Sequence, residues 1–218
     1  MGAAAKRAGR RPDDVELLAV IKYAPVESVR ELLAAGRVSQ VAENRVQDAQ
    51  RRKEALADEA RGVRWRMIGH LQTNKAKQAV ELFDAVDSID SLNVAQALER
   101  RLESTERSLP ALVQVKLTEK ETQSGVSPEE LPRLLAELAK LPHLKIEGLM
   151  GIAPQVDEAE QARPHFRTLK RHFDQHFAGK PGARLSMGMS HDFEVAIEEG
   201  STMVRIGTAL FEEVSKQQ

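Results

Sequence analysis

A parallel (β/α)8 barrel is the fold this sequence predicts, and three observations predict it. Short apolar runs alternate with longer segments of helical period along the 218 residues, and regular strand–helix alternation implies a parallel sheet. The alternation counts eight strand–helix units, the number that closes a barrel. No GxGxxG follows the first strand, so the competing open sheet with a dinucleotide site has no support.

Residues 17–21 (LLAVI) are apolar on both faces, which suits a strand buried between layers. Residues 26–35 read as a helix, with Val29, Leu32 and Leu33 at helical spacing and Gly36 as its stop. Residues 38–42 form the second strand, followed by a polar helix over 45–59. The third strand is 63–68, entered by a core Trp65, and 74–83 is its helix. The fourth strand is 85–89, with Ser91 placed to cap a helix running to about 106.

Residues 111–117 (ALVQVKL) open the second half. Ser127, Pro128, Glu129 and Glu130 supply an N-cap, a first-turn proline and an acidic first turn. The sixth strand is 144–150, followed by a long polar helix over 158–177. A short strand at 184–187, a helix at 191–199 ended by Gly200, and a strand at 203–206 complete the eight. No linker or internal repeat interrupts them, so residues 1–218 are expected to form one domain.

Composition removes several functions. The chain has 32 Lys plus Arg against 33 Asp plus Glu, a net charge of −1, without the positive excess that phosphate backbones require. Hydrophobic residues make up 41% and charged residues 30%, which fits a globular protein and not a disordered one. No apolar run could span a bilayer. With no cysteine, disulfides, Cys-ligated zinc and Cys nucleophiles are absent. The first residues carry positive charge without an apolar stretch, unlike a secretory signal, and Lys6 stands where a myristoylation motif has Ser or Thr. A soluble, cytoplasmic protein is expected.

Ligands of such barrels bind at the C-terminal strand ends. Lys22 closes the first strand. Alternation puts Leu18, Val20 and Lys22 on one face, and Ala19, Ile21 and Tyr23 on the other. A desolvated lysine has a lowered pKa and a nucleophilic amine, as a Schiff base with an aldehyde requires. Read alone, the fragment favours a strand-end lysine that reaches solvent. Two later loops change that balance. LSMGMS (185–190) leaves the seventh strand and RIGT (205–208) the eighth, each toward a helix. Glycine plus hydroxyl at a helix start suits a phosphate, in the loops where this architecture frequently holds one. Ser190 and Thr208 also suit plain N-caps, and the two roles are compatible. An amine at strand one, a phosphate cradle at strands seven and eight, and Arg205 at the mouth together fit pyridoxal 5′-phosphate (PLP).

Six segments carry a resemblance over nearly the whole chain: LLAVIKYAP (17–25), VAENRVQDA (41–49), MIGHLQTNK (67–75), EGLMGI (147–152), LSMGMSHDFEVAI (185–197) and GSTMVRIGTALF (200–211). The sequence resembles the pyridoxal phosphate homeostasis proteins, the YggS/PROSC family, whose fold is a single TIM-type barrel like the alanine racemase N-terminal domain. The resemblance implies that Lys22 holds PLP as a Schiff base, that Asn44 sits beside the ring and that Met150 lines the pocket. It further implies that Ser190, Gly207 and Thr208 hold the phosphate while Arg205 faces the pyridine nitrogen. A cation there disfavours protonation of that nitrogen and makes the ring a poor electron sink. The implied role is a non-catalytic, cytoplasmic PLP carrier in vitamin B6 homeostasis. Its expected partners are PLP and apo PLP-dependent enzymes, with no nucleic acid, membrane or metal, and it is expected as a monomer or weak homodimer.

Three departures from the family stand out. Ala42 replaces a usual glycine, Gln123 replaces a usual lysine, and the opening helix is short, which would leave barrel surface uncovered. The main alternative is a PLP-dependent racemase-like enzyme. Racemisation needs proton donors on both faces of the substrate carbon, and the only tyrosine, Tyr23, is expected to point away from Lys22. A metal site at His172 and His176 lacks the glutamate of HExxH. Neither His70 nor His191, nearer the mouth, is assigned a catalytic role. The clusters 51–53 and 100–101 lie among glutamates and are expected to be solvated helix faces.

Overall fold

The computed structural model describes residues 1–105, 107–118 and 123–215, with side chains to Phe211 in the last helix. Its eight described strands close a barrel in chain order: β1 (Glu16–Val20), β2 (Gln40–Glu43), β3 (Arg64–Met67), β4 (Ala85–Ile89), β5 (Leu109–Val115), β6 (Leu144–Gly151), β7 (Arg184–Ser186) and β8 (Met203–Ile206). Every neighbouring pair is parallel, and β8 pairs with β1 through Glu16 opposite Met203 and Leu18 opposite Arg205. Helix α1 (Gly2–Arg7) precedes the barrel. The outer ring is α2 (Val26–Ala34), α3 (Val46–Leu56), α4 (Ala76–Leu82), α5 (Leu92–Leu102), α6 (Leu131–Leu138), α7 (Arg163–Phe177), α8 (Phe193–Glu198) and α9 (Thr208–Ser215). The expected end of α5 near 106 lies outside the described residues.

Apolar periodicity explains the ring. Helix α6 buries Leu131, Leu134 and Leu138, and α7 buries Phe166, Leu169, Phe173 and Phe177, each large side chain contributing about 1.5–3 kcal/mol. Trp65 is fully buried in the same sheet-to-helix layer. The barrel interior is different. Leu18, Ala42 and Met203 pack together there, but beside them Arg66 of β3 grips Asp87 of β4 through two bonds of 2.8 and 2.5 Å, both side chains buried. Such a pair stabilises little compared with apolar filling, yet it fixes one register between two strands. Ala42 takes ordinary extended backbone in β2, so the replacement of glycine there costs no backbone strain.

Several boundaries differ from expectation for local reasons. Strand β1 stops at Val20, and the chain turns as Ala24 N–H donates to Ile21 O at 3.0 Å. Lys22 and Tyr23 therefore lie in a turn, where strand alternation no longer separates them. Lys22 Nζ sits 5.0 Å from the centre of the Tyr23 ring, so Tyr23 lies beside Lys22 and does not point away from it. Helix α8 begins at Phe193 and not at His191, because Asp192 Oδ1 accepts from Met189 N–H at 2.6 Å and closes a turn first. Neither Ser190 nor Thr208 is an N-cap: Ser190 lies inside that turn, ahead of the N-cap Asp192, and Thr208 is the first residue of α9.

One of the two charged clusters is partly built into the structure. Arg52 and Lys53 of the 51–53 run do not face open solvent. Arg52 pairs with the buried Glu43, and Lys53 donates to Leu82 O at 2.6 Å over the Trp65 ring. Arg51, Arg100 and Arg101 are exposed as expected. Short as it is, α1 buries Ala4 and Ala5 against Ile197, Val204 and Ile206. Its Arg7 bonds Glu194 and Glu198 of α8, so this stretch of barrel surface is covered.

Arg163 holds α7 to α8, bonding Glu199 at 2.6 Å and Glu198 at 2.7 Å as well as its neighbour Glu160. Bonds from Arg163 and Arg7 hold the Glu198 carboxyl below its ordinary 4.5. For Glu199 burial opposes the shift, but Arg163 and Arg167 outweigh it and the pKa is again lowered. A carboxylate depressed on folding contributes stability that is complete above its unfolded pKa and is lost as pH falls through the folded one. Arg163→Met is therefore expected to cost about 1–2 kcal/mol at pH 7, between the exposed and buried ion-pair ranges. The gap should narrow as pH drops below 4.5. Urea unfolding of both proteins at pH 7 and in acid checks this, and a gap independent of pH would contradict it.

Candidate functional site

A cleft of about 590 Å³ opens at the C-terminal ends of the strands. Its wall takes Val20 and Lys22 from the end of β1, Asn44 after β2, Ile68, Gly69 and His70 after β3, and Gln114 on β5. Gln123, Ser124, Ile152 and Gln155 come next along the chain. Met189, Ser190 and His191 come from the β7–α8 turn, and Arg205, Gly207 and Thr208 from the end of β8. No Asp or Glu is among these lining residues. A second hollow of about 280 Å³ shares Val20, Lys22, Gly207 and Thr208 and continues past Tyr23, Pro25 and Phe211. Lys22 stands on the divide between the two.

Six of the seven residues singled out from the sequence, Lys22, Asn44, Ser190, Arg205, Gly207 and Thr208, meet around this cleft. Met150 does not join them. It is fully buried on β6 between Gln114 of β5 and Ser186 of β7, two residues short of Ile152, which does line the wall.

Lys22 is half-buried and makes no ion pair with any described residue. Arg205 is buried, and its guanidinium donates to Ser186 Oγ at 2.7 Å and to Gly151 O at 2.8 Å. Burial lowers its pKa to about 10, with Asp87 and Asp192 acting the other way, so it remains a cation at neutral pH. The amide of Gly207 faces Ser190 Oγ at 3.4 Å, just ahead of the first turn of α9. The first amides of a helix have no partner within it and suit an anion. Positive φ at Gly188 (+93°) lets the β7–α8 turn press on α8, since a Cβ there would meet Ala196 Cβ at 2.5 Å.

Sequence reasoning missed Gln114 and Glu43 and gave Gln123 and His70, both noted, no place in the wall. Gln114 reaches Ser124 O at 2.8 Å, and the alternation of ALVQVKL, which puts a glutamine on the inward face, was a usable signal. Gln123 bridges Thr118 Oγ1 and Ile152 O at 2.8 and 2.7 Å, so its amide is occupied on both sides. His70 lines the cleft with its Nδ1 2.9 Å from Asp90 Oδ2. Buried Glu43, next to Asn44, accepts from Arg52 at 2.9 Å; burial pushes its pKa up although Arg52 opposes this. His172 and His176 sit on α7 in the outer ring, away from the cleft. Burial and nearby cations lower the pKa of His172. The described residues contain no cluster of three His, Asp or Glu able to hold a metal.

Known proteins place this arrangement. The family model of the alanine racemase N-terminal domain matches residues 3–213, and an alanine racemase of Clostridium difficile 630 has the same fold (TM-score 0.74, 18% identity, 96% of this chain and 54% of that one). Fold and cleft thus define an alanine-racemase-type barrel. The chain is 41% identical over 212 residues to the pyridoxal phosphate homeostasis protein of Aquifex aeolicus (strain VF5), covering 96% of this chain and 92% of the other. It is 39% identical over 224 residues to that of Escherichia coli (strain K12), covering 97% and 91%. PipY of Synechococcus elongatus PCC7942, whose structure is known with PLP bound, superposes with a TM-score of 0.83 at 37% identity, covering 96% and 97%. This chain belongs to the pyridoxal phosphate homeostasis protein family.

The cleft depends on a close approach of two strand ends. A Cβ on Gly69 would lie 2.1 Å from Asn44 O and 2.8 Å from Asn44 Cα, both backbone atoms that cannot yield cheaply. Gly69→Ala is expected to destabilise the protein by about 1–3 kcal/mol, the range for overpacking. Urea unfolding checks it, and unchanged stability would show that the approach is not tight.

Proposed function

We propose that this chain is a cytoplasmic, non-catalytic PLP carrier that holds the cofactor reversibly on Lys22 as part of PLP homeostasis. The observation that carries the reading is the donor set of one cleft: a lysine amine without an ion pair, a buried guanidinium, and the Ser190, Gly207 and Thr208 donors, with no carboxylate among the described residues of the wall. Such a wall fits a phosphorylated aldehyde and repels few of its charges. The names of the curated relatives and the PLP-bound state of PipY support the same reading.

When bound, PLP supplies an aldehyde that condenses with a primary amine, losing water, and is freed by the reverse reaction. The residues of this chain favour attachment over further chemistry. Lys22 Nζ is half-buried at the divide of the two hollows, with no described carboxylate paired to its amine. The amides at the start of α9, with Ser190 and Thr208, orient the phosphate end and carry no titrating group. Arg205 only donates hydrogen bonds, so if it faced the ring nitrogen it would leave that nitrogen unprotonated. An unprotonated ring stabilises a carbanion poorly, which suits a carrier better than a transaminase. Tyr23 does not alter this. It adjoins Lys22 in the side hollow and is not among the residues of the main cleft wall, so it supplies no second proton donor across the wall. Release to apo-enzymes belongs to the same proposal, because Lys22 is reachable from both hollows.

The test is the visible spectrum of the protein with PLP, wild type beside Lys22→Ala, before and after borohydride. Wild type alone is expected to show a visible band that borohydride bleaches, with the reduced adduct mapped to Lys22. No band in wild type, or an equal band in Lys22→Ala, would sink the reading. Racemase assays with L-alanine decide the alternative: turnover that depends on Lys22 would favour the enzyme.

A further inference from the structure

Lys22 lies in a turn beyond the end of β1, so its place in the cleft depends on whatever fixes that turn. Inside the turn, Ala24 N–H donates to Ile21 O. From outside, Arg52 of α3 donates from Nη1 to the Ala24 carbonyl at 2.8 Å. The same guanidinium donates from Nε to Glu43 Oε1 at 2.9 Å. Glu43 is the last residue of β2, and its other oxygen accepts from Asn44 N–H at 3.3 Å. One planar cation thus joins the two chain segments that bring Lys22 and Asn44 to the cleft.

Stability alone does not call for this arrangement. Glu43 is fully buried and the Arg52 side chain is 11% exposed, and desolvating such a pair offsets much of its attraction, so apolar residues of similar volume would hold the layers as well. Apolar residues could not grip a carbonyl. The guanidinium presents donors in a fixed fork, so a carboxylate on one edge sets the direction of the other.

We infer that Arg52, oriented by Glu43, is a positioning residue for Lys22, fixing the Ala24 carbonyl and with it the turn that presents Nζ to the cleft. The inference rests on the reading of Lys22 as the attachment point.

Two readouts test it. The first uses protein without PLP: trace acetylation of Lys22 by acetic anhydride, read by mass spectrometry against exposed Lys77. The second is the rate at which the borohydride-trapped PLP adduct forms on Lys22. In Arg52→Met the loosened turn should acetylate about threefold faster at Lys22, as local opening does. Trapping should slow roughly tenfold, the scale of lost orientation. Arg52→Lys, which keeps one donor, should recover part of both. Lys53, bonded to Leu82 O on the same helix, should not change, whereas a merely structural role would free it too. Should Arg52→Met fail to fold, the isosteric Glu43→Gln takes its place with the same expectations. Lys22 acetylation and trapping both within about twofold of wild type, or a parallel rise at Lys53, would overturn the inference. A wild type that acetylates normally but traps no PLP would instead defeat the cofactor reading, and the acetylation result would still judge Arg52.

Discussion

The guanidinium of Arg205 is a full charge buried at the top of the barrel, and the architecture around it reflects the need to satisfy that charge. No described carboxylate pairs with it. Ser186 Oγ and the Gly151 carbonyl accept from it instead, so β6, β7 and β8 are tied together by one side chain whose pKa burial draws down to about 10. A cation held by neutral acceptors keeps most of its field for whatever enters the cleft. With Lys22 and the first amides of α9 on the same wall, the strand ends form a surface that donates hydrogen bonds and offers little negative charge in return. The proposed cofactor suits that surface because its phosphate and ring nitrogen are acceptors.

The same economy recurs as paired charges, one inside the barrel and one on its outer face. Arg66 and Asp87 satisfy each other between β3 and β4, and Glu43 and Arg52 do so between β2 and the turn after β1. Each pair gives up some of the stability an apolar filling would supply and defines one arrangement of its strands in exchange. The outer layer, where Trp65, Phe83 and Phe166 are buried, provides the bulk of the hydrophobic stabilisation, and the paired charges provide the geometry.

This division decides how much was legible in the sequence. Outer-layer periodicity announces itself in apolar spacing, and all eight strands and the ring of helices are visible in it. The residues at the strand ends were legible as well, since hydroxyls and glycines cluster after β7 and β8. Contacts between segments distant in sequence were not. LLAVI continues apolar through Ile21, which gave no sign that pairing with β8 ends at Ala19 and that the turn starts before Lys22. The partner of Arg52 is a glutamate nine residues away on a strand, so in sequence the arginine looks like one member of a charged helix face. Met150 is level with Gln114 of β5 and Ser186 of β7 but fully buried and outside the cleft wall, a burial that alternation cannot specify.

The most direct measurement of how this chain holds its cofactor is a crystal structure grown with PLP. We expect density continuous with Lys22 Nζ, the phosphate on Ser190, Gly207 and Thr208, and the ring nitrogen facing Arg205. PLP seated elsewhere in the protein, or attached to Lys22 with its phosphate turned away from the start of α9, would contradict that arrangement.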